Sequence, residues 1–195
     1  MMDPAQTLQA GPVTLCRWDR AWAEQLEQAI RASLPELRQF MPWATEQHGI
    51  ADTRAYLEQS VAEWQARESW GYAIVNRHGE IVGSCSLMTR MGPGVLEIGY
   101  WVHSAHAGQG LASAAATALA DAGLHVDGVD RVVIKHDCAN PASGRVAAKA
   151  GFTQVDRITS PPQAPGETGS QLVWERRVQT SASRPDSFPA VTGSG

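Results

Sequence analysis

The spacing of apolar and polar positions changes period several times along the chain, and each change marks an element. Met1 to Gly11 is short and polar and is expected to be loose. Val13 to Trp18 (VTLCRW) then alternates with period two, as a strand with one buried face does. Between Arg20 and Ser33, Trp22, Leu26, Ala29 and Ile30 share one helical face, with Asp19 as the N-cap and Pro35 as the interruption. LPELRQFMPWATEQHG, which follows, is apolar and aromatic without a period. It reads either as a helix connection capping the core or as one wall of a pocket. A second helix is predicted from Asp52, its N-cap, to Arg67, with Tyr56, Leu57, Val61 and Trp64 facing inward.

From Trp70 the period becomes two. GYAIVN and IVGSCSLMTR flank Arg77-His78-Gly79-Glu80 as a hairpin, and the turn at Met91 to Gly94 leads into VLEIGYWV, so three strands form an antiparallel meander. The chain then enters a loop containing Gly108-Gln109-Gly110. Behind it Leu111, Ala112, Ala115, Ala118, Leu119 and Ala122 return to helical spacing, with Gly123 as the stop. Asp130 to His136 is a buried strand, and strand, helix and strand at this length make a right-handed βαβ unit with parallel strands. Asn140-Pro141 opens a short helix ending at Gly151. Phe152 to Ile158 and Gln171 to Val178 form a last pair around the loop SPPQAPGETG. Residues 179–195 are Ser-, Pro- and Gly-rich and carry too little apolar surface to fold, which leaves 12–178 as one domain between a flexible start and a disordered tail.

Composition narrows the function. With 195 residues and 43% hydrophobic content the chain suits one domain with a substantial core. A net charge of −4 argues against a nucleic-acid binder or a protein of anionic membrane surfaces. Cys16, Cys85 and Cys138 are odd in number and far apart, which fits reduced thiols rather than a disulfide framework or a zinc site, and no metal is expected. No apolar run of about 18 residues occurs. The first residues lack a signal peptide's basic and apolar regions, so a cytoplasmic protein is expected.

The stretch richest in chemistry is Glu97 to Ala122. Two glycines one residue apart let backbone N–H groups approach a ligand, and the helix behind them presents unpaired N–H donors and partial positive charge, a natural phosphate site. The alternative is a tight structural turn. Glu97 interrupts an apolar strand and is either a base for a substrate or a paired structural carboxylate. His103 and His106 read as surface groups, or as a base or a phosphate contact. A dinucleotide-binding βαβ unit is a remote alternative, with Asp137 near the place of a ribose-binding acid. The third glycine slot, however, is Ser113, and no further βα units follow.

Three local sequences resemble the GNAT acetyltransferase family. Ala107-Gly108-Gln109-Gly110-Leu111-Ala112 is similar to the family's pyrophosphate signature, matching at Gly110 and Ala112 and departing at Ala107, where the family has Gln or Arg. Asn140-Pro-Ala-Ser143, with Gly151-Phe152, is similar to the Asn-x-x-Ala/Ser…Gly-Phe segment. Phe40 to Trp43 (FMPW) and Glu97 to Trp101 (EIGYW) resemble the ribosomal-protein-alanine N-acetyltransferase branch. The resemblance implies a mixed α/β fold, a mostly antiparallel sheet of about seven strands with one splayed parallel pair and helices on both faces. It implies acetyl-CoA as cosubstrate, its pantetheine on the backbone of Tyr100, Trp101 and Val102, its diphosphate on Ala107 to Ala112, and Asn140 fixing the pantetheine arm. Many relatives place a tyrosine acid where this chain has Ala147; the branch instead offers Ser143 as the donor to the departing sulfur. Glu97 becomes the candidate for orienting or deprotonating an amine, and Trp43 a substrate contact. Replacing either Ser143 or Glu97 is then expected to slow transfer without loss of acetyl-CoA affinity. The acceptor implied is a small amine or a protein N-terminus, and the assembly a monomer or homodimer. A non-catalytic acyl-CoA sensor is the alternative from another class.

Overall fold

The computed structural model describes residues 3–178; the expected disordered tail, 179–195, lies outside the described residues. Eight strands and four helices follow one another: β1 (Thr7–Ala10), β2 (Val13–Arg17), α1 (Ala23–Leu37), α2 (Ile50–Ala66), β3 (Ser69–Asn76), β4 (Ile81–Met88), β5 (Val95–Val102), α3 (Leu111–Leu124), β6 (Arg131–Asp137), α4 (Pro141–Lys149), β7 (Thr153–Thr159) and β8 (Ser170–Arg177). They form one sheet in the order β1-β2-β3-β4-β5-β6-β8-β7. Every neighbouring pair is antiparallel except β5 and β6, which the α3 crossover makes parallel.

Alternation along the central strands divides the core. On one face Leu15, Tyr72, Ile74, Leu87, Leu96, Ile98, Val132 and Ile134 pack against Leu111, Ala115, Leu119 of α3 and Ala147 of α4. On the other, Ala73, Ile81 and Trp101 pack against Leu26, Ala29 and Ile30 of α1 and Leu57 of α2. The mixed architecture and parallel pair match the expectation, and none of the described helices is long and apolar enough to cross a membrane.

Four local expectations need correction. The start is not loose: Thr7 to Ala10 pairs with Cys16 to Val13, and the Tyr72 hydroxyl donates to the Ala5 carbonyl at 2.8 Å, giving an eighth strand whose four residues are too few to show a clear period. Pro35 does not interrupt α1, which runs to Leu37; only the N–H bond toward Arg31 is missing, in the last turn. The N-cap of α2 is Gly49, not Asp52. The Asp52 side chain, one turn in, accepts from the Gly49 N–H at 2.9 Å, and Thr53, Leu57, Ser60 and Trp64 form its buried face, while Tyr56 at its margin turns its ring onto Trp18 and its hydroxyl to Ser84. Gly123 is not a helix stop but a buried helical residue, where a Cβ would come 3.1 Å from Val132 Cγ2 and 3.2 Å from Leu87 Cδ2. Glycine at this position lets the C-terminal end of α3 lie directly on the paired half of the sheet.

Candidate active site

The site forms where the sheet opens. Pairing between β5 and β6 runs from Val95↔Arg131 to Ile98↔Ile134 and stops, although both strands continue. On its other side β5 remains bonded to β4 as far as Val102. The backbone of Gly99 to Val102 therefore presents one row of peptide groups toward the opening without a strand to receive them. Buried peptide groups are costly unless paired, so such an edge is a ready docking line for an extended amide-bearing chain.

The glycine loop lies at the end of this edge. After a 3-10 turn at Ser104–His106, residues Ala107 to Gly110 are exposed, Gly108 and Gly110 at φ of 77° and 81°, and Gly110 caps α3 without a side chain. Leu111 is buried and anchors the helix while Ala112 sits in its first turn. The first-turn N–H groups of a helix have no intrahelical partner, and here they open onto solvent beside the β5 edge, the geometry for holding an anion. His103 is tied locally: its Nδ1 accepts from the Ala105 N–H at 3.0 Å, and its ring meets His106 edge-on at 5.5 Å.

Across the opening stands the N-terminus of α4. The Asn140 side chain accepts from the Ser143 N–H at 3.1 Å, making Asn140 the cap of α4 and leaving its Nδ2 as donor, while Pro141 occupies the first turn. Ser143 Oγ lies 2.6 Å from the Tyr100 hydroxyl, which is also 3.3 Å from the Ser143 carbonyl oxygen. This pair bridges the unpaired half of β5 and the helix that follows β6. Burial pushes the Tyr100 phenol up to about 12, with the Ser143 hydrogen bond acting in the opposite sense.

On the α1–α2 face the opening is lined differently. Glu97 is 3% exposed and accepts from both Nε (2.9 Å) and Nη2 of Arg90, while Lys135 Nζ stands 3.3 Å away. Two cations occupy both its oxygens, which is the geometry of a paired carboxylate, one of the two readings its sequence context left open. Trp43, 42% exposed, has its ring 6.4 Å from Trp101 and 5.5 Å from His48, so the aperiodic wall segment reaches the cleft strand. The 160–169 loop docks on the same segment: the Gly166 N–H donates to the Gln39 carbonyl at 2.8 Å. Asp137 anchors that loop. Its carboxylate accepts from the N–H groups of Ala139, Thr168 and Gly169 and from the Thr168 hydroxyl, at 2.8 to 3.0 Å. Burial alone would raise its pKa; the four hydrogen bonds outweigh this and hold it below the usual carboxylate range.

With this geometry in view, comparison with known proteins is decisive. The model of the acetyltransferase (GNAT) domain matches residues 13–153. The chain belongs to the GNAT acetyltransferase family. Within it the chain is similar to the ribosomal-protein-serine acetyltransferase of Escherichia coli K12, 33% identical over 132 residues, covering 65% of this chain and 71% of that protein. Its fold matches RimL, a ribosomal L7/L12 α-N-protein acetyltransferase solved with coenzyme A, at TM-score 0.80 and 22% identity over 88% of this chain and 98% of that one. It also matches Mycobacterium smegmatis RimJ solved with CoA-disulfide, at TM-score 0.80 and 21% identity over 91% of each chain. These likenesses place it in the RimJ/RimL-like branch of acyltransferases that use acetyl-CoA.

For this GNAT chain the dinucleotide alternative is overturned. Its sheet is not doubly wound, and the oxygens of Asp137, the would-be ribose ligand, are consumed by the 160–169 loop. Among the described residues no cluster of three or more His, Cys, Asp or Glu side chains could hold a metal ion. Sequence reasoning did not foresee the Tyr100–Ser143 hydrogen bond, since 43 residues separate the partners. It also did not foresee a second buried group behind Trp43. There Thr53 donates to Glu27 at 2.6 Å, His48 Nε2 lies 3.1 Å from the Thr53 hydroxyl, and Arg31 donates to Glu27 at 2.6 Å.

Proposed function

We propose that this acetyltransferase moves the acetyl group of acetyl-CoA directly to a primary amine, and that the amine is a protein N-terminal α-amine. The observation that carries the reading is the break in the β5–β6 ladder after Ile98↔Ile134, with the glycine loop at one end of the exposed edge and Ser143 across from it. The pantetheine amides would bond the backbone of Tyr100, Trp101 and Val102, with Asn140 Nδ2 as a further donor. The diphosphate would sit on Ala107, Gly108, Gln109, Gly110, Leu111 and Ala112. That grip is mostly backbone and helix end, so Ala107 in place of a longer polar residue costs a side-chain contact rather than the site.

The cleft positions the neutral amine against the thioester carbonyl, so that a bimolecular attack becomes an intramolecular one. A C–N bond forms, the C–S bond breaks, and its electron pair leaves on sulfur. Ser143 donates a hydrogen bond to that sulfur, and the proton shed by the amine leaves to solvent. Glu97, paired with Arg90 and Lys135, braces the acceptor side of the cleft as a structural carboxylate, and Trp43 on Trp101 forms its apolar wall. The N-terminal acceptor is supported by the names of the relatives, a ribosomal-protein-serine acetyltransferase and an α-N-protein acetyltransferase, and by a wall lying at the surface.

The test is a mass-shift screen of N-terminal peptides beside small amines with acetyl-CoA, preceded by thermal shift with acetyl-CoA and with NAD. Stabilisation by acetyl-CoA and α-acetylated peptides are expected; products confined to small amines would defeat the N-terminal reading.

A further inference from the structure

The leaving-group side of the cleft holds two hydroxyls where the proposed chemistry uses one. Tyr100 is fixed by β5 and Ser143 by the cap of α4, so their 2.6 Å contact is set by the scaffold rather than by flexible side chains. Each hydroxyl has one hydrogen. When the phenol donates to the Ser143 carbonyl, 3.3 Å away, the serine hydrogen is spent on the phenol oxygen. When the phenol instead donates to Ser143 Oγ, the serine hydrogen is released. Among the described residues Oγ has no other partner to take it. The pair is thus a two-position rotor whose second position frees the serine O–H to donate elsewhere.

We propose that Tyr100 is a positioning residue for the leaving group: its phenol O–H holds the Ser143 hydroxyl in the orientation that donates to the departing sulfur. This deepens the acyl-transfer reading above and rests on it. As the C–S bond breaks and its electron pair settles on sulfur, Ser143 Oγ–H donates to sulfur and Tyr100 O–H donates to Ser143 Oγ. No proton need change owner in this step; the thiolate takes its proton from solvent, which has received one from the amine. Chained donors polarise one another, so the serine is a better donor with the phenol behind it. The high phenol pKa keeps Tyr100 a neutral donor throughout the neutral range. Ala147 faces the core on the same helix, so no tyrosine from that slot competes for the sulfur.

The test uses the full chain with CoA as probe and needs no acceptor. The thiol of bound CoA is titrated by its thiolate absorbance, as the difference between CoA-bound and CoA-free protein. That subtraction is needed because Cys138 has its own thiol pKa lowered, chiefly by the Thr168 hydroxyl, whereas burial raises those of Cys16 and Cys85. Wild type is expected to lower the bound thiol pKa by about one unit. Tyr100→Phe and Ser143→Ala should each give back about half a unit or more, and the double variant no more than Ser143→Ala alone. In turnover, Tyr100→Phe should lower kcat about tenfold with KM for acetyl-CoA unchanged, again without a further loss once Ser143 is alanine. A bound thiol pKa equal in wild type and Tyr100→Phe overturns the proposal, and so do effects that add in the double variant. Absence of any acetylated amine with wild type would instead count against the function reading, while the thiol titration still decides the role of Tyr100.

Discussion

Replacing Glu97 with glutamine separates a paired carboxylate from a catalytic base. Glu97 is 3% exposed, so its charge is tolerated only through Arg90 and Lys135. Glutamine keeps the shape, but one oxygen becomes an NH2 that faces a cationic donor, so one charge-assisted bond is lost and a donor is left against a donor. Breaking a fully buried pair costs roughly 3–5 kcal/mol. Here the cations are not buried, the Arg90 side chain being 61% exposed and that of Lys135 23%, so both can turn to water. The expected cost is therefore reduced to about 1–2 kcal/mol. For a domain of this size that lowers Tm by roughly 2–8 °C, measured by calorimetry. Turnover by Glu97→Gln, followed by thiol release at saturating acetyl-CoA, should stay within about threefold of wild type, because both carboxylate oxygens are already engaged by Arg90 and Lys135. A hundredfold loss of kcat with Tm unchanged would refute this and make Glu97 the base.

Two further outcomes follow from the same geometry. Gly110→Ala places a side chain at φ 81° where nothing lies within 4 Å, so the cost is backbone alone, about 1–2 kcal/mol. Calorimetric titration should show weaker acetyl-CoA binding; unchanged affinity would remove the loop from the diphosphate site. Asp137 has a folded pKa below its unfolded value, so its contribution is present above the unfolded pKa near about 4 and is lost as pH falls through the folded one. Urea midpoints of wild type and Asp137→Asn should accordingly differ most at neutral pH and converge in acid. A difference that persists unchanged into acid would contradict this account.

The elements that were legible are those whose own residues carry their reason. VLEIGYWV alternates because one face of β5 meets α3 and the other meets α1 and α2, and Gly108 and Gly110 have the positive φ their spacing suggested. Illegible elements draw their reason from distant chain. Thr7 to Ala10 alternates only through Leu8 and Ala10, too short a pattern to read alone, and is a strand because Val13 to Cys16 offers it a partner edge. Pro35 looks like a break, yet sits where only one hydrogen bond is at stake. Gly123 has the composition of a stop, but the closeness of Val132, Leu87 and Leu96 makes it a contact. Ser143 could be nominated from its motif, whereas its partner Tyr100 could not, because only the fold places the two hydroxyls together.

The opening itself follows from topology. α3 carries the chain back across the sheet, so β6 must enter parallel to β5, the one such pair in an otherwise antiparallel sheet. A parallel ladder can stop partway without a turn to hold its ends together, whereas hairpin-connected β3 and β4 stay paired from Ser69↔Met88 to Val75↔Ile81. The same crossover brings the N-terminus of α3 to one end of the unpaired edge, and the turn after β6 brings α4 to face it. One change of strand direction therefore creates a row of free peptide groups, an anion-holding helix end and a hydroxyl pair around a single gap. An extended cofactor with amides in its middle and phosphates at one end is the ligand that would use all three, which is why the family resemblance and the backbone geometry agree on the cosubstrate while neither alone selects the amine.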